Sequence, residues 1–166
     1  EFDGFQALLA ADATVIDVTG TSVTAANVIT ELGAVVDAIP AALYGKEDLT
    51  IYVPQNVAKA YVRALGGFGA SGLGASGIES KGTMWYGDQP LYFDGIRVAM
   101  VNGLASNKMV AAQSSNLYFG TGLLDDRNEV KVLDMSNLDG SDNVRVIMRF
   151  FAGVQFGIGA DVVYYA

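Results

Sequence analysis

Neither cysteine nor histidine occurs among the 166 residues of this chain. That excludes disulfides, thiolate nucleophiles, His-based acid–base triads and zinc sites of the usual ligands within it. Charge is also scarce: Asp, Glu, Lys and Arg supply 17% of the residues, against about 25% in ordinary soluble domains. With 51% hydrophobic residues and a mean hydropathy of +0.32, such a balance implies surface that neighbouring subunits normally cover. The ten Lys and Arg residues are scattered, and the net charge is −8 with a pI near 4.3, which argues against a broad basic face for nucleic acid. No uninterrupted apolar run reaches membrane-spanning length, since Arg145 and Arg149 break the most apolar stretch, Val144 to Ile158. No secretory signal is visible, and the opening Glu1-Phe2-Asp3 without an initiator Met reads as a processed product or an excised fragment. The length suits one domain or two small lobes sharing a core.

What is present is organised in a recognisable order. Residues 1–23 read as a connector with one apolar alternation, Val15 to Val18. A helix is expected from Ser22 or Thr24, either of which can cap it. Its stripe is Val28, Leu32, Val35 and Ile39, and Pro40 ends it. "LTIYV" (Leu49 to Val53) reads as a buried strand, and Pro54 can open a second helix with Val57, Tyr61 and Leu65 on its apolar side. Leu91–Phe93 and Ile96–Val101 form a hairpin around Asp94-Gly95, a pair suited to the two-residue turn that matches strand twist. Strands follow at Met109–Ala112, Leu117–Phe119 and Glu129–Met135. From Val144 to Ile158 every even position is apolar, which predicts one long strand with an apolar core side, roughly 50 Å at ~3.3 Å per residue. "ADVVYY" supplies a last strand.

The segment "GFGASGLGASG" carries the pattern G-x-G-x-x-G twice, at Gly67, Gly69, Gly72 and at Gly72, Gly74, Gly77. A dinucleotide site needs a strand before such a loop and a helix after it, with the helix N-terminus facing the pyrophosphate. Here a helix precedes and no helical stripe follows, so small residues in a flexible loop suffice to explain it. "DDRNE" (Asp125 to Glu129) and "DGSDN" (Asp139 to Asn143) lack the ligand order and closing Glu of a hand-type calcium loop and read as turns. Glu31, Glu47, Glu79 and Glu129 offer carboxylates for glycoside hydrolysis, a pairing the sequence leaves open. Arg145 and Arg149 share the non-core side of the long strand with Ile147 and Phe151. That side is either a solvated sheet face or a place for inter-subunit salt bridges.

In this order the stretches "NVITELGAVVDAIP", "DLTIYVPQNVAKAYVRAL", "LYFDGIRVAMVNGL", "NLYFGTGLLDDRNEVKVLDM" and "NVRVIMRFFAGVQFGIGADVVYY" resemble the major capsid proteins of tailed bacteriophages, with the Hong Kong ninety-seven type fold. The resemblance covers Thr24 to Tyr165 and the later part of a family member. The family's N-terminal arm, extended loop and spine helix are expected to precede Glu1. It implies an α+β fold, a mixed sheet with flanking helices plus a long antiparallel β-hairpin. The implied layout has an N-terminal connector (1–23) and an axial lobe (46–126). A peripheral lobe combines 24–45 with 127–166, its last strand available to the axial sheet. The glycine loop (Gly67, Gly69, Ser71, Gly72, Gly74, Ser76, Gly77) would lie at a capsomer centre, and Arg145 and Arg149 between subunits. The expected partners are copies of the same chain in pentamers and hexamers, enclosing double-stranded DNA with only indirect contact, in a virion assembled in the host cytoplasm. No enzyme activity, cofactor, metal or membrane partner is implied. The family's crosslinking Lys sits on the extended loop, so no crosslinking residue carries over.

Three other readings remain. An encapsulin-like compartment shares the fold and encloses cargo enzymes. A nucleotide-binding or carboxylate-dependent hydrolytic enzyme would use the glycine loop or the Glu residues. A surface adhesin or layer protein would fit the β content, the acidity and the lack of Cys.

Overall fold

The computed structural model describes residues 3–66, 91–121, 129–136, 140, 142–149 and 152–166. In chain order these hold α1 (Phe5–Ala11), β1 (Ile16–Val18), α2 (Val28–Asp37), β2 (Leu49–Val53), α3 (Gln55–Gly66), β3 (Leu91–Phe93), β4 (Ile96–Met100), β5 (Met109–Gln113), β6 (Leu117–Thr121), β7 (Glu129–Asp134), β8 (Val144–Arg149), β9 (Ala152–Phe156) and β10 (Val163–Tyr165). Six strands make one mixed sheet in the order β1-β10-β5-β2-β4-β3, and two further pairs are β6-β9 and β7-β8.

The apolar run of β2 places it inside that sheet, parallel to β4 and antiparallel to β5. Alternation then assigns its side chains to two cores. Leu49, Ile51 and Val53 point to one face with Ile96, Val98, Met109, Ala111, Val163 and Tyr165. On that face lie Val28, Leu32, Val35 and Val36 of α2 and Val57, Ala58, Ala60 and Tyr61 of α3. The opposite face carries Val110, Ala112 and Tyr164, covered by Leu9 of α1 and Phe156 of β9. A sheet with apolar residues on both faces needs a layer on each, and here it has one.

Most expected elements form, with instructive shifts. The helix expected from Ser22 or Thr24 begins at Val28. A turn precedes it in which the Asn27 side-chain oxygen accepts from the Thr24 N–H at 2.7 Å, while the Thr24 carbonyl accepts from the Val28 N–H at 2.9 Å. Leu65, expected on the apolar side of α3, is 44% exposed. Asp94 and Gly95 both adopt positive φ, 49° and 79°, as the two-residue turn requires. The outer edge of β3 is partly closed: the Tyr61 hydroxyl donates to the Tyr92 carbonyl at 2.7 Å, with its ring edge-on to Phe93.

The structure adds detail to three of these expectations. The stretch read as a connector contains α1 and β1, and β1 runs parallel to β10 at the sheet's edge. The helix assigned to a peripheral lobe, α2, packs on the main sheet beside α3 because its four buried residues complete that core. Within the fifteen-residue alternation, β8 pairs with β7 and β9 pairs with β6, and Phe150 and Phe151 lie outside the described residues.

Candidate inter-subunit surface

The β7–β8 pair is built from two alternating segments, "EVKVLD" and "VRVIMR", in register from Glu129 opposite Arg149 to Asp134 opposite Val144. The ladder continues one step, with the Met135 N–H donating to the Asn143 carbonyl at 3.0 Å. The Ser136 N–H donates to the Asp134 carboxylate at 2.9 Å, and that bond holds the Asp134 carboxyl below its ordinary range. Gly140, with φ of 71°, takes a conformation other residues adopt at a cost.

Directly opposed residues of an antiparallel pair share a face. One face of this pair is therefore Val130, Val132, Val144, Val146 and Met148, with Val130 opposite Met148, Val132 opposite Val146, and Asp134 opposite Val144 at its end. Val144, Val146 and Met148 were expected on the core side of a long strand; instead all five side chains are between 50% and 65% exposed. The physical reason is plain: none of them joins either buried cluster, and the pair packs mainly on itself. A two-stranded hairpin alone is marginal in water, and covering each of these residues is worth on the order of 1–2 kcal/mol.

The other face carries Lys131, Leu133, Arg145 and Ile147. Leu133 is 38% exposed, and Arg145 is exposed with no partner among the described residues. The register also sets Arg149 on this face, opposite Glu129. A further apolar area lies on β6–β9, where Tyr118 and Phe119 are 55% and 65% exposed. Gly120 opposes Gly153 beneath an open notch of about 460 Å³, lined also by Tyr118, Val154 and Gln155. The Asn116 side chain holds the next step by pairing with both backbone groups of Ile158, each at 2.8 Å.

The other sequence candidates are dispersed. The seven glycine-loop residues Gly67, Gly69, Ser71, Gly72, Gly74, Ser76 and Gly77 lie outside the described residues, as does Glu79. The Glu31 carboxylate accepts from the Tyr165 hydroxyl and from the Thr21 hydroxyl, both at 2.8 Å, tying α2 to the strap before it and to β10. Glu47 lines an open concavity of about 450 Å³ with Tyr44, Lys46, Asp94 and Arg97. A third concavity, about 370 Å³ and apolar, lies between α1 and the sheet, walled by Phe5, Leu9, Tyr52, Leu104 and Val110. Among the described residues no group of acidic side chains converges in a way that would hold a metal ion. No helix of the described residues is long and apolar enough to cross a membrane.

The sheet, its helices and the paired strands beside it have the phage major capsid type of fold, as comparison with solved structures shows. One is a chain of Mycobacterium phage Che8, with a TM-score of 0.65 and 16% identity over 92% of this chain and 53% of that one. Another is from the satellite phage P4 procapsid that includes the size determination (Sid) protein, with a TM-score of 0.59 and 11% identity over 99% of this chain and 51% of that one. A third is a virus-like particle from Pyrococcus furiosus, with a TM-score of 0.54 and 8% identity over 95% of this chain and 58% of that one. The chain thus spans about half the length of the structures it is similar to, and the likeness is one of fold. No protein-family model and no curated protein matches it.

Proposed function

We propose that this chain is a structural subunit of a viral shell, acting by lateral association of identical copies. The observation that carries the reading is the pairing of a phage-capsid type of fold with a hairpin whose five-residue apolar face is exposed in the single chain. Low charge content supports it, because a surface meant for neighbours need not be solubilised by charge. Weak contacts suffice when each is repeated by symmetry across a closed assembly.

In this reading the six-stranded sheet with its helices forms the axial part and the β7–β8 hairpin belongs to the peripheral part. Gly67 to Gly77 would then converge at a capsomer centre, where five or six copies leave little room for bulky side chains. Arg145 and Arg149 lie between subunits. The enclosed cargo is double-stranded DNA, and a net charge of −8 keeps a shell interior from adhering to phosphate. The test is expression of the protein followed by sedimentation and electron microscopy. Closed particles whose subunits crosslink through Ser71→Cys or Ser76→Cys support the layout; particles in which those cysteines never join subunits remove the capsomer-centre assignment.

A second reading is a non-viral compartment, favoured by the likeness to the Pyrococcus furiosus particle. The contents of purified particles separate the two: packaged DNA for a phage shell, protein cargo for a compartment.

A further inference from the structure

Charge is unevenly distributed along this chain. Residues 1–45 hold Glu1, Asp3, Asp12, Asp17, Glu31 and Asp37 and not one Lys or Arg, and from residue 150 onward the only charged residue is Asp161. These segments meet in the fold, because β1 pairs with β10 and α1 packs beside β9. Asp3 and Asp17 are exposed there, Asp17 on a strand at the edge of the main sheet. At the other extreme, the mixed face of β7–β8 carries Lys131 and Arg145 with Leu133 and Ile147 between them, and its register ends with Glu129 opposite Arg149. Its arginine at 145 is exposed with no partner among the described residues.

We infer that this mixed face docks on the acidic α1–β1 end of a second copy, making a head-to-tail contact. The inference rests on the shell reading and names the surfaces it uses. Charge complementarity selects the occupant, because opposite fields attract and align while like fields are excluded. A two-fold contact of the hairpin face with itself would set the Arg145 of each copy against a face of its own sign. A head-to-tail contact instead puts cations on carboxylates while Leu133 and Ile147 supply apolar contact. It also uses two different patches, which is the kind of interface that propagates into rings or extended lattices. Exposed charges at this contact act over a Debye length of about 8 Å at physiological ionic strength, so the contact weakens as salt is added.

Reciprocal charge reversal tests the pairing. Arg145→Glu and Asp17→Lys are prepared separately in the full chain, and association is followed by sedimentation velocity at low and high salt. Each variant alone is expected to associate at least roughly tenfold more weakly than the parent at low salt. A one-to-one mixture is expected to recover, since each variant keeps the surface the other lacks; a folding defect would not be rescued by mixing. Unchanged association of Arg145→Glu, or a mixture no better than its components, overturns the contact while leaving the shell reading standing. Failure of the parent chain to associate at any salt overturns both.

Discussion

At the scale of single residues, the tightest packing surrounds Tyr165. Its ring lies against Gly20, where any Cβ would overlap ring atoms. Its hydroxyl accepts from the Thr21 N–H at 2.9 Å and donates to the Glu31 carboxylate at 2.8 Å. Burial first, and the Glu31 bond second, push the phenol above its ordinary value. A phenol so raised supports the fold fully below about pH 10 and loses that contribution as pH rises through the folded value. Gly20→Ala is expected to cost about 1–3 kcal/mol, as overpacking does, measurable by urea unfolding. Tyr165→Phe, which leaves the Thr21 N–H without its acceptor, is expected to cost about 1–3 kcal/mol. Asp48 works at the acid end: the Ser115 hydroxyl at 2.5 Å and the Gln113 amide at 2.8 Å hold its carboxyl below the ordinary value. Its contribution is therefore present above about pH 4 and fades as pH falls through the lower folded value. Asp48→Asn should flatten that part of the acid-side stability profile; an unchanged profile would show that these bonds do not bias folding.

At the scale of elements, buried helices and the exposed hairpin should respond in opposite ways. Leu32 is fully buried in α2, so Leu32→Ala is expected to cost about 2–5 kcal/mol of stability. Val146 is 61% exposed, so Val146→Asp is expected to cost no more than about 1 kcal/mol while abolishing association. Thermal melts and sedimentation of the two variants check the contrast, and a hairpin variant that melts early yet still assembles would refute it. The same contrast explains what was readable. β2 and the β3–β4 hairpin were legible because their signals are local: an apolar run, and Asp94-Gly95 for a turn that needs two positive φ angles. Helix α1 was missed because its seven residues "FQALLAA" have no cap signature, and the helix depends on Leu9 reaching a sheet made from distant sequence. Alternation in β8 identified its apolar side, Val144, Val146 and Met148. Whether another layer covers that side is a tertiary fact with no local signature, and the expectation of burial failed there. Arg145 was singled out from the same strand, but Val130 and Val132, which extend the apolar face onto β7, were not.

At the scale of the whole molecule, the account is one of a fold whose main sheet is satisfied on both faces and whose hairpin is not. A free-standing domain with 17% charged residues would gain from a more polar hairpin. A shell subunit gains from the opposite, since association then covers what the single chain leaves open. The most direct test of the shell account is electron microscopy of the full-length protein after overexpression and sedimentation. The account predicts closed, uniform particles tens of nanometres across. A small, monodisperse species that forms no particles at any concentration or salt would contradict it.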